Sequence, residues 1–429
     1  MTTTAQPSVP LTADTHASYD ASTRAPAARL VSVDVLRGLV VLVMIFVNDV
    51  ASVPAAPAWM KHVSPHDADG MTFVDVVFPA FLFVVGVAIP LSVGRRLDAG
   101  EPVRVVWRGI LARTAALLVI GVLMVNTETI ARDGIVPAPL WTLLMYVGVL
   151  LAWTRWGGAR RPSLRGAGVV LLAALALVYR GNDATGVLQL RPQWWGILGL
   201  IGWAYLVGCA TYTLFRRELG ALVGMTALLY LVFVADAVGF FAWAGALDRW
   251  VDIGAMLGSH AAVTVSGIAL GVVVSPDSRW RSPAERLRWA LLYGAALFAA
   301  GQLVHSAHAV HRVFIFNKIE ATPAWCLVSA AYTAWLWAAV YWLVDVRGGR
   351  RGAAVGTLDR AGQSALLAYV LPGVFYAGIG LLALAGVPDL YFAAGRSSAA
   401  AGIARAALFA IGIVWVTSWL TRRGVRFRV

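Results

Sequence analysis

RLVSVDVLRGLVVLVMIFVNDV, residues 29 to 50, decides the fold class. The whole stretch is about as long as a helix needs to cross a bilayer core, and no charged side chain interrupts it between Arg37 and Asn48. Comparable runs recur to the end of the 429-residue chain, in which 59% of residues are hydrophobic and 13% charged. The mean hydropathy is +0.74. A soluble domain has no interior large enough for that much apolar surface, and the short alternating segments of a β-barrel are absent. The expected class is all-α, a polytopic membrane helix bundle of about 12 (10–12) transmembrane helices.

Twelve apolar segments are read, at roughly 33–53, 73–94, 105–125, 139–154, 166–180, 195–215, 219–243, 259–275, 289–307, 323–344, 363–386 and 402–421. Basic residues gather in alternate loops. Arg95, Arg96, Arg104 and Arg108 follow the second segment, Arg155, Arg160, Arg161 and Arg165 the fourth, and Arg216 and Arg217 the sixth. Arg279, Arg281, Arg286 and Arg288 follow the eighth, Arg347, Arg350, Arg351 and Arg360 the tenth, and Arg422, Arg423, Arg426 and Arg428 close the chain. The positive-inside rule then puts both termini in the cytoplasm and the loop after the first segment outside. The same rule accounts for most of the net charge of +13, so nucleic acid is not an expected partner. Residues 1–28, rich in Thr, Ala, Pro and Ser, are expected to be a disordered cytoplasmic tail, with residues 29–429 as one membrane domain. Cys209 and Cys326 lie in apolar runs and form neither a disulfide framework nor a metal pattern.

Ionisable groups within or beside membrane segments are costly, and so they mark candidate sites. Asp34 and Arg37 stand three apart on one helical face, either as an interfacial ion pair or as a site for an anionic ligand, with Ser32 nearby. Asn48 and Asp49 end the same segment. The stretch WMKHVSPHDADGMTFVDVVFP, residues 59 to 79, then crowds His62 and His66 among acids, with Asp75 at the start of the next helix. A loop histidine is ordinarily a solvated surface residue. Flanked by an amide and a carboxylate, it has what a general base needs, a neutral form near pH 7 and a group to orient its ring. His305, His308 and His311 in HSAHAVH lack a nearby carboxylate or cysteine to complete a zinc set, so interface histidines are the simpler reading. Asn317, Lys318 and Glu320 fall in the loop before the tenth segment. Tyr369 and Pro372 lie in the eleventh, where a proline kink is expected. Gly267 and Gly271 form a small-xxx-small pair, expected to be a close helix contact.

These residues carry a resemblance. RLVSVDVLRGLVVLVMIFVN, then KH, then DGMTFVDVVFPAFLFVVGVAIPLS, is similar to the heparan-α-glucosaminide N-acetyltransferase family, strongly over residues 29–94. FNKIEATPAWCL, YWLVDV and GQSALLAYVLP resemble its C-terminal half more loosely. The resemblance implies transfer of an acetyl group from cytosolic acetyl-CoA, the co-substrate, to an amino sugar on the far side of a membrane. It implies His62 as the catalytic histidine and Asn48 as its assisting amide. Asp75 is the expected orienting carboxylate. The Arg29, Ser32, Asp34 and Arg37 helix start matches the family's, and the donor is expected there, its phosphates drawn by the arginines. SPHDADG departs from the family's Trp-Asn-Gly, so His66 stays open as the base and the acceptor pocket is expected to differ. Direct transfer and an acetyl-histidine intermediate both remain open.

The high Ala, Arg and Gly content fits a GC-rich bacterial genome and hence the bacterial cytoplasmic membrane. The expected partners are membrane lipids and an amino-sugar or glycan acceptor, with a homodimer also conceivable. O-acylation of an envelope glycan or lipid is the nearest alternative, because a fold does not fix an acceptor. A sugar or amine transporter is a second, but the sequence offers neither paired broken helices nor repeated halves.

Overall fold

A computed structural model describes residues 29–131, 134–157, 161–182, 189–194, 196–248, 250–349 and 352–427. Residues 1–28, the expected tail, lie outside the described residues. Among the described residues ten helices are long and apolar enough to cross a membrane. They are α1 (Val31–Val50), α2 (Phe73–Asp98), α3 (Val103–Thr129), α6 (Ile197–Phe215), α7 (Leu219–Ala237), α8 (Ile253–Val274), α9 (Pro283–His305), α10 (Pro323–Val346), α12 (Ala365–Leu384) and α14 (Ala399–Arg422). Two shorter apolar helices, α4 (Ala138–Trp153) and α5 (Pro162–Val178), correspond to the fourth and fifth sequence segments. Two further helices, α11 (Ala353–Gln363) and α13 (Leu390–Ser397), are not apolar spans. The chain is an all-α polytopic membrane bundle, and its one described sheet is a two-stranded clip joining Thr154–Arg155 to Arg426–Phe427.

The centre is α8, 94% buried, whereas α9 and α14 are each 22% buried and turn Leu291, Leu292, Leu408 and Trp415 outward. Apolar side chains on such a rim are stable only against lipid tails. Close packing at the centre depends on glycine. A methyl at Gly86 would run into the Thr264 carbonyl of α8, and one at Gly267 into the Phe83 carbonyl of α2. Gly271 meets the Val87 carbonyl in the same way, so the predicted small-residue contact is the α2–α8 seam. α1 and α11 approach equally closely, with Gly38 against Leu358 and Gly362 against the Asp34 backbone.

The basic loops gather at one end. Arg216 and Arg217 both pair with Asp98 (2.6 and 2.8 Å), and Arg217 reaches Asp277 at 3.4 Å, tying together three loops that the sequence places on one side. At the opposite end the loop after α1 docks on the loop after α9, the Gly70 amide donating to the Phe316 carbonyl at 2.9 Å. The eleventh segment is divided at Ser364 (φ −125°, ψ 38°), which separates α11 from α12. Pro372 lies inside α12, where it has no N–H to give the preceding turn. Ser364 is itself a poor helix former that can bond locally to backbone.

Candidate active site

Thr72 and Asp75 open α2 with a capping box, in which the Asp75 carboxylate accepts the Thr72 amide at 2.9 Å. That bond fixes Asp75, which is 1% exposed, with its other oxygen 2.6 Å from Nδ1 of His62. Trp325 of α10 donates to the Asp75 carbonyl at 3.2 Å and holds the helix start from behind. The imidazole is 43% exposed, so the ring is anchored at one nitrogen and open to solvent elsewhere. With Nδ1–H given to the carboxylate, Nε2 is the basic atom. The Lys318 ammonium stands beside the ring, 2.9 Å from Nε2 and 3.3 Å from Nδ1. Burial lowers the Lys318 pKa, against the opposing charge of Asp75.

The loop carrying Lys318 is pinned to the loop carrying His62. Asn317 donates from its side chain to the His66 and Ala68 carbonyls at 2.8 and 3.2 Å. Asp69 takes the Phe316 amide at 2.8 Å and Nε2 of His305 at 2.8 Å. Burial alone would raise the Asp69 pKa, but the bonds from His305 and Phe316 outweigh it and hold the carboxyl below its usual range. His305 also stacks on His308 and Phe316, so two of the three histidines in HSAHAVH build this dock. Among the described residues no hydrogen bond reaches the His66 ring.

On the far face of α1 a tract of cavities runs lengthwise. Arg37, Met44 and Asn48 are spaced seven and four apart, one helical stripe. Arg37 and Met44 line a cavity of about 440 Å³ with Arg113, Gln363, Ser364 and Tyr205. Asn48 lines a second, of about 330 Å³, with Glu128 and Tyr146. Ile197, Leu198 and Tyr369 border both, so the two cavities adjoin. Arg37 and Asn48 are about 16 Å apart along the axis at the ordinary helical rise. The first cavity sits where α11 breaks from α12, and the Arg37 guanidinium donates to the Gly362 carbonyl there at 3.2 Å.

The predicted residues thus fall into separate groups. His62 and Asp75 meet. Asn48 faces the tract, and among the described residues no hydrogen bond joins it to His62. Of the four donor candidates only Arg37 lines the tract. Asp34 pairs with Arg37 at 2.8 Å and with Arg29, and Arg29 also bridges to Asp359 of α11 at 2.7 Å. Ser32 is fully buried, its amide capped by Asp345. Sequence reasoning passed over Arg113, although a lone arginine inside an apolar run carries the same signal as the residues it did select. Nothing local could mark Lys318 as a neighbour of His62, since 256 residues separate them.

Known proteins supply the comparison for this arrangement. A family model described as "Domain of unknown function (DUF5009)" matches residues 29–181. The mouse heparan-alpha-glucosaminide N-acetyltransferase is 38% identical over 124 residues. The chain is related to that enzyme over part of its length. The match covers 27% of the chain and 16% of the mouse protein. The human heparan-alpha-glucosaminide N-acetyltransferase is 36% identical over 104 residues, 23% of the chain and 14% of the human protein. The chain therefore spans only a small share of these curated relatives in alignment. The apolar helices make the chain an integral membrane protein.

Proposed function

We propose that this chain moves an acetyl group from acetyl-CoA, bound at the arginine-rich end of the bundle in the bacterial cytoplasm, to an amino sugar or similar amine on the opposite side of the cytoplasmic membrane. The observation that carries this reading is the His62–Asp75 pair at 2.6 Å, set at the end of the bundle remote from the arginine loops, in a relative of an N-acetyltransferase. Arg37 and Arg113 suit the donor's phosphates, and the apolar middle of the tract suits a thin uncharged arm. Asn48 would donate from its amide to the thioester oxygen as charge builds there.

The substrates stand between the two groups in this scheme. The acceptor nitrogen attacks the thioester carbon, and its proton passes to Nε2 of His62. The carbon–sulfur bond breaks and the thiolate leaves, taking the proton back from the imidazolium. Asp75 holds the ring and balances the transient positive charge. Purified protein in lipid, supplied with labelled acetyl-CoA and a panel of amine and hydroxyl acceptors, tests the reading. Acetylated amine is the expected product. Acetylated hydroxyl alone would move the assignment to O-acylation. Exchange of unmodified acceptor across liposomes without acetyl-CoA would move it to transport.

A further inference from the structure

NTET, residues 126 to 129, closes α3 at the end of the bundle remote from the arginine loops. Three of its four side chains are committed locally. Asn126 donates to the Val122 and Arg191 carbonyls at 2.8 and 2.9 Å, and Thr127 to the Met124 carbonyl at 2.6 Å. The Thr129 hydroxyl lies 3.1 Å from that of Tyr179, which donates to the Asn126 carbonyl at 3.0 Å. The helix end is thus held in place, and Glu128 is the exception within it. Glu128 lines the second cavity with Asn48, and among the described residues no hydrogen bond or ion pair reaches its carboxylate. Other acids of the bundle are engaged, Asp34 with Arg37, Asp49 with Arg405, Asp69 with His305 and Asp75 with His62. Glu128 is also exposed, so a solute reaches it from its own end of the molecule.

We infer that Glu128 binds the acceptor: its carboxylate takes the ammonium of a primary amine in the cavity that Asn48 borders, and so selects amines over alcohols of the same shape. An unpaired carboxylate at the end of a membrane-spanning helix is costly, and a cationic ligand offsets that cost. An alcohol offers one neutral donor in its place, where an ammonium offers three donors and a charge. Tyr146 and Tyr369 line the same cavity, and aromatic rings add to the attraction for a cation. The cavity's volume, about 330 Å³, falls in the range of small-molecule sites. The adjoining cavity carries the opposite charge, on Arg37 and Arg113, so the tract separates an anionic ligand from a cationic one. Glu128 holds the amine before the nitrogen loses its proton and attacks. That last consequence rests on the proposed acetyl transfer; ammonium binding does not.

Equilibrium binding to the full chain in lipid nanodiscs, without acetyl-CoA, tests the inference. The probes are glucosamine, ethanolamine and propylamine, each against its hydroxyl counterpart (glucose, ethylene glycol and propanol), titrated by calorimetry at a pH where the amines are protonated. At least one amine is expected to bind more tightly than its counterpart, a comparison that needs no variant. Glu128→Gln should raise that amine's Kd about tenfold or more, the worth of one charge-assisted hydrogen bond. Glu128→Asp should keep the preference for amine, and Glu218→Gln, beside Arg216 and Arg217 at the other end, should leave it unchanged. Absence of binding by all three amines, equal binding of each amine and its alcohol, or an unchanged Kd in Glu128→Gln would overturn the inference. Ammonium binding that depends on Glu128, in a protein that acetylates no amine, would defeat the functional reading alone. Acetylation with an unchanged KM for the amine in Glu128→Gln would defeat this inference alone.

Discussion

His62 and His66 share one loop, but only His62 meets a carboxylate, and that carboxylate is fixed by a helix cap. His62→Ala is expected to abolish acetyl transfer while the purified protein stays monodisperse, and His66→Ala to keep turnover near wild type. Wild-type turnover in His62→Ala would remove the assignment. Asp75→Asn keeps an acceptor for the Thr72 amide but loses the charge behind the imidazole. A fall in kcat of about 10²–10⁴ follows if the pair acts as a general base. Asn48 and Asp49 make the complementary point about reading a sequence. They are adjacent, and both were visible as polar residues ending an apolar run. Asn48 opens on the tract, while Asp49, 1% exposed, binds Tyr376, Tyr391 and Arg405 on three later elements. Composition showed that both needed explanation; only the fold shows which is structural. Removing one partner of a buried ion pair costs about 3–5 kcal/mol. Arg405→Met should therefore lower the unfolding midpoint in detergent well below that of a surface Arg→Met control.

The helices were legible because each had to be about 20 residues of apolar sequence, a constraint the bilayer imposes locally. The α2–α8 seam was half legible. Gly267 and Gly271 announced a close contact, but the partner, α2, could not be named from spacing. Gly267→Val would push a branched side chain into the Phe83 carbonyl, and loss of the folded, monodisperse protein is expected, read by size exclusion and thermal unfolding. The break at Ser364 escaped notice for a different reason: α11 is amphipathic rather than apolar, so hydropathy begins the segment only at its end. Loop docking was also invisible, because it joins residues far apart in the chain. It carries a pH dependence with a definite sign. Asp69 has a folded pKa below its unfolded value, so its contribution is complete above the ordinary aspartate value, about 3.9, and is lost as pH falls through the folded value. Amide exchange in residues 61–72, compared between pH 6 and pH 3, should rise at the low pH by more than intrinsic chemistry predicts. Asp69→Asn should shift that rise. An unchanged protection ratio would mean that the dock does not depend on this carboxylate.

At the scale of the whole molecule the two ends differ in chemistry. One carries the arginine loops joined through Asp98 and Asp277, and the other carries the histidine loop joined through Asp69 and Asn317. A tract along α1 lies between them, bounded by Arg37 and Arg113 towards one end and by Asn48 towards the other. An enzyme that acted on one face of the membrane would have no use for that separation. The proposed reaction needs it, since a donor bearing phosphates does not cross the bilayer and an envelope acceptor does not enter the cell. The corresponding experiment is vectorial. In sealed vesicles with the arginine loops outward, labelled acetyl-CoA added outside should acetylate an amine trapped inside, and the same amine supplied only outside should stay unlabelled. Impermeant thiol labelling of single cysteines placed at position 218 and position 67 fixes the orientation of the preparation independently. Arg113→Met, in the tract but remote from His62, should raise the KM for acetyl-CoA and leave the KM for the amine unchanged. Equal labelling of inner and outer amine would show that both substrates reach the site from one side, and would reassign the tract to packing rather than passage.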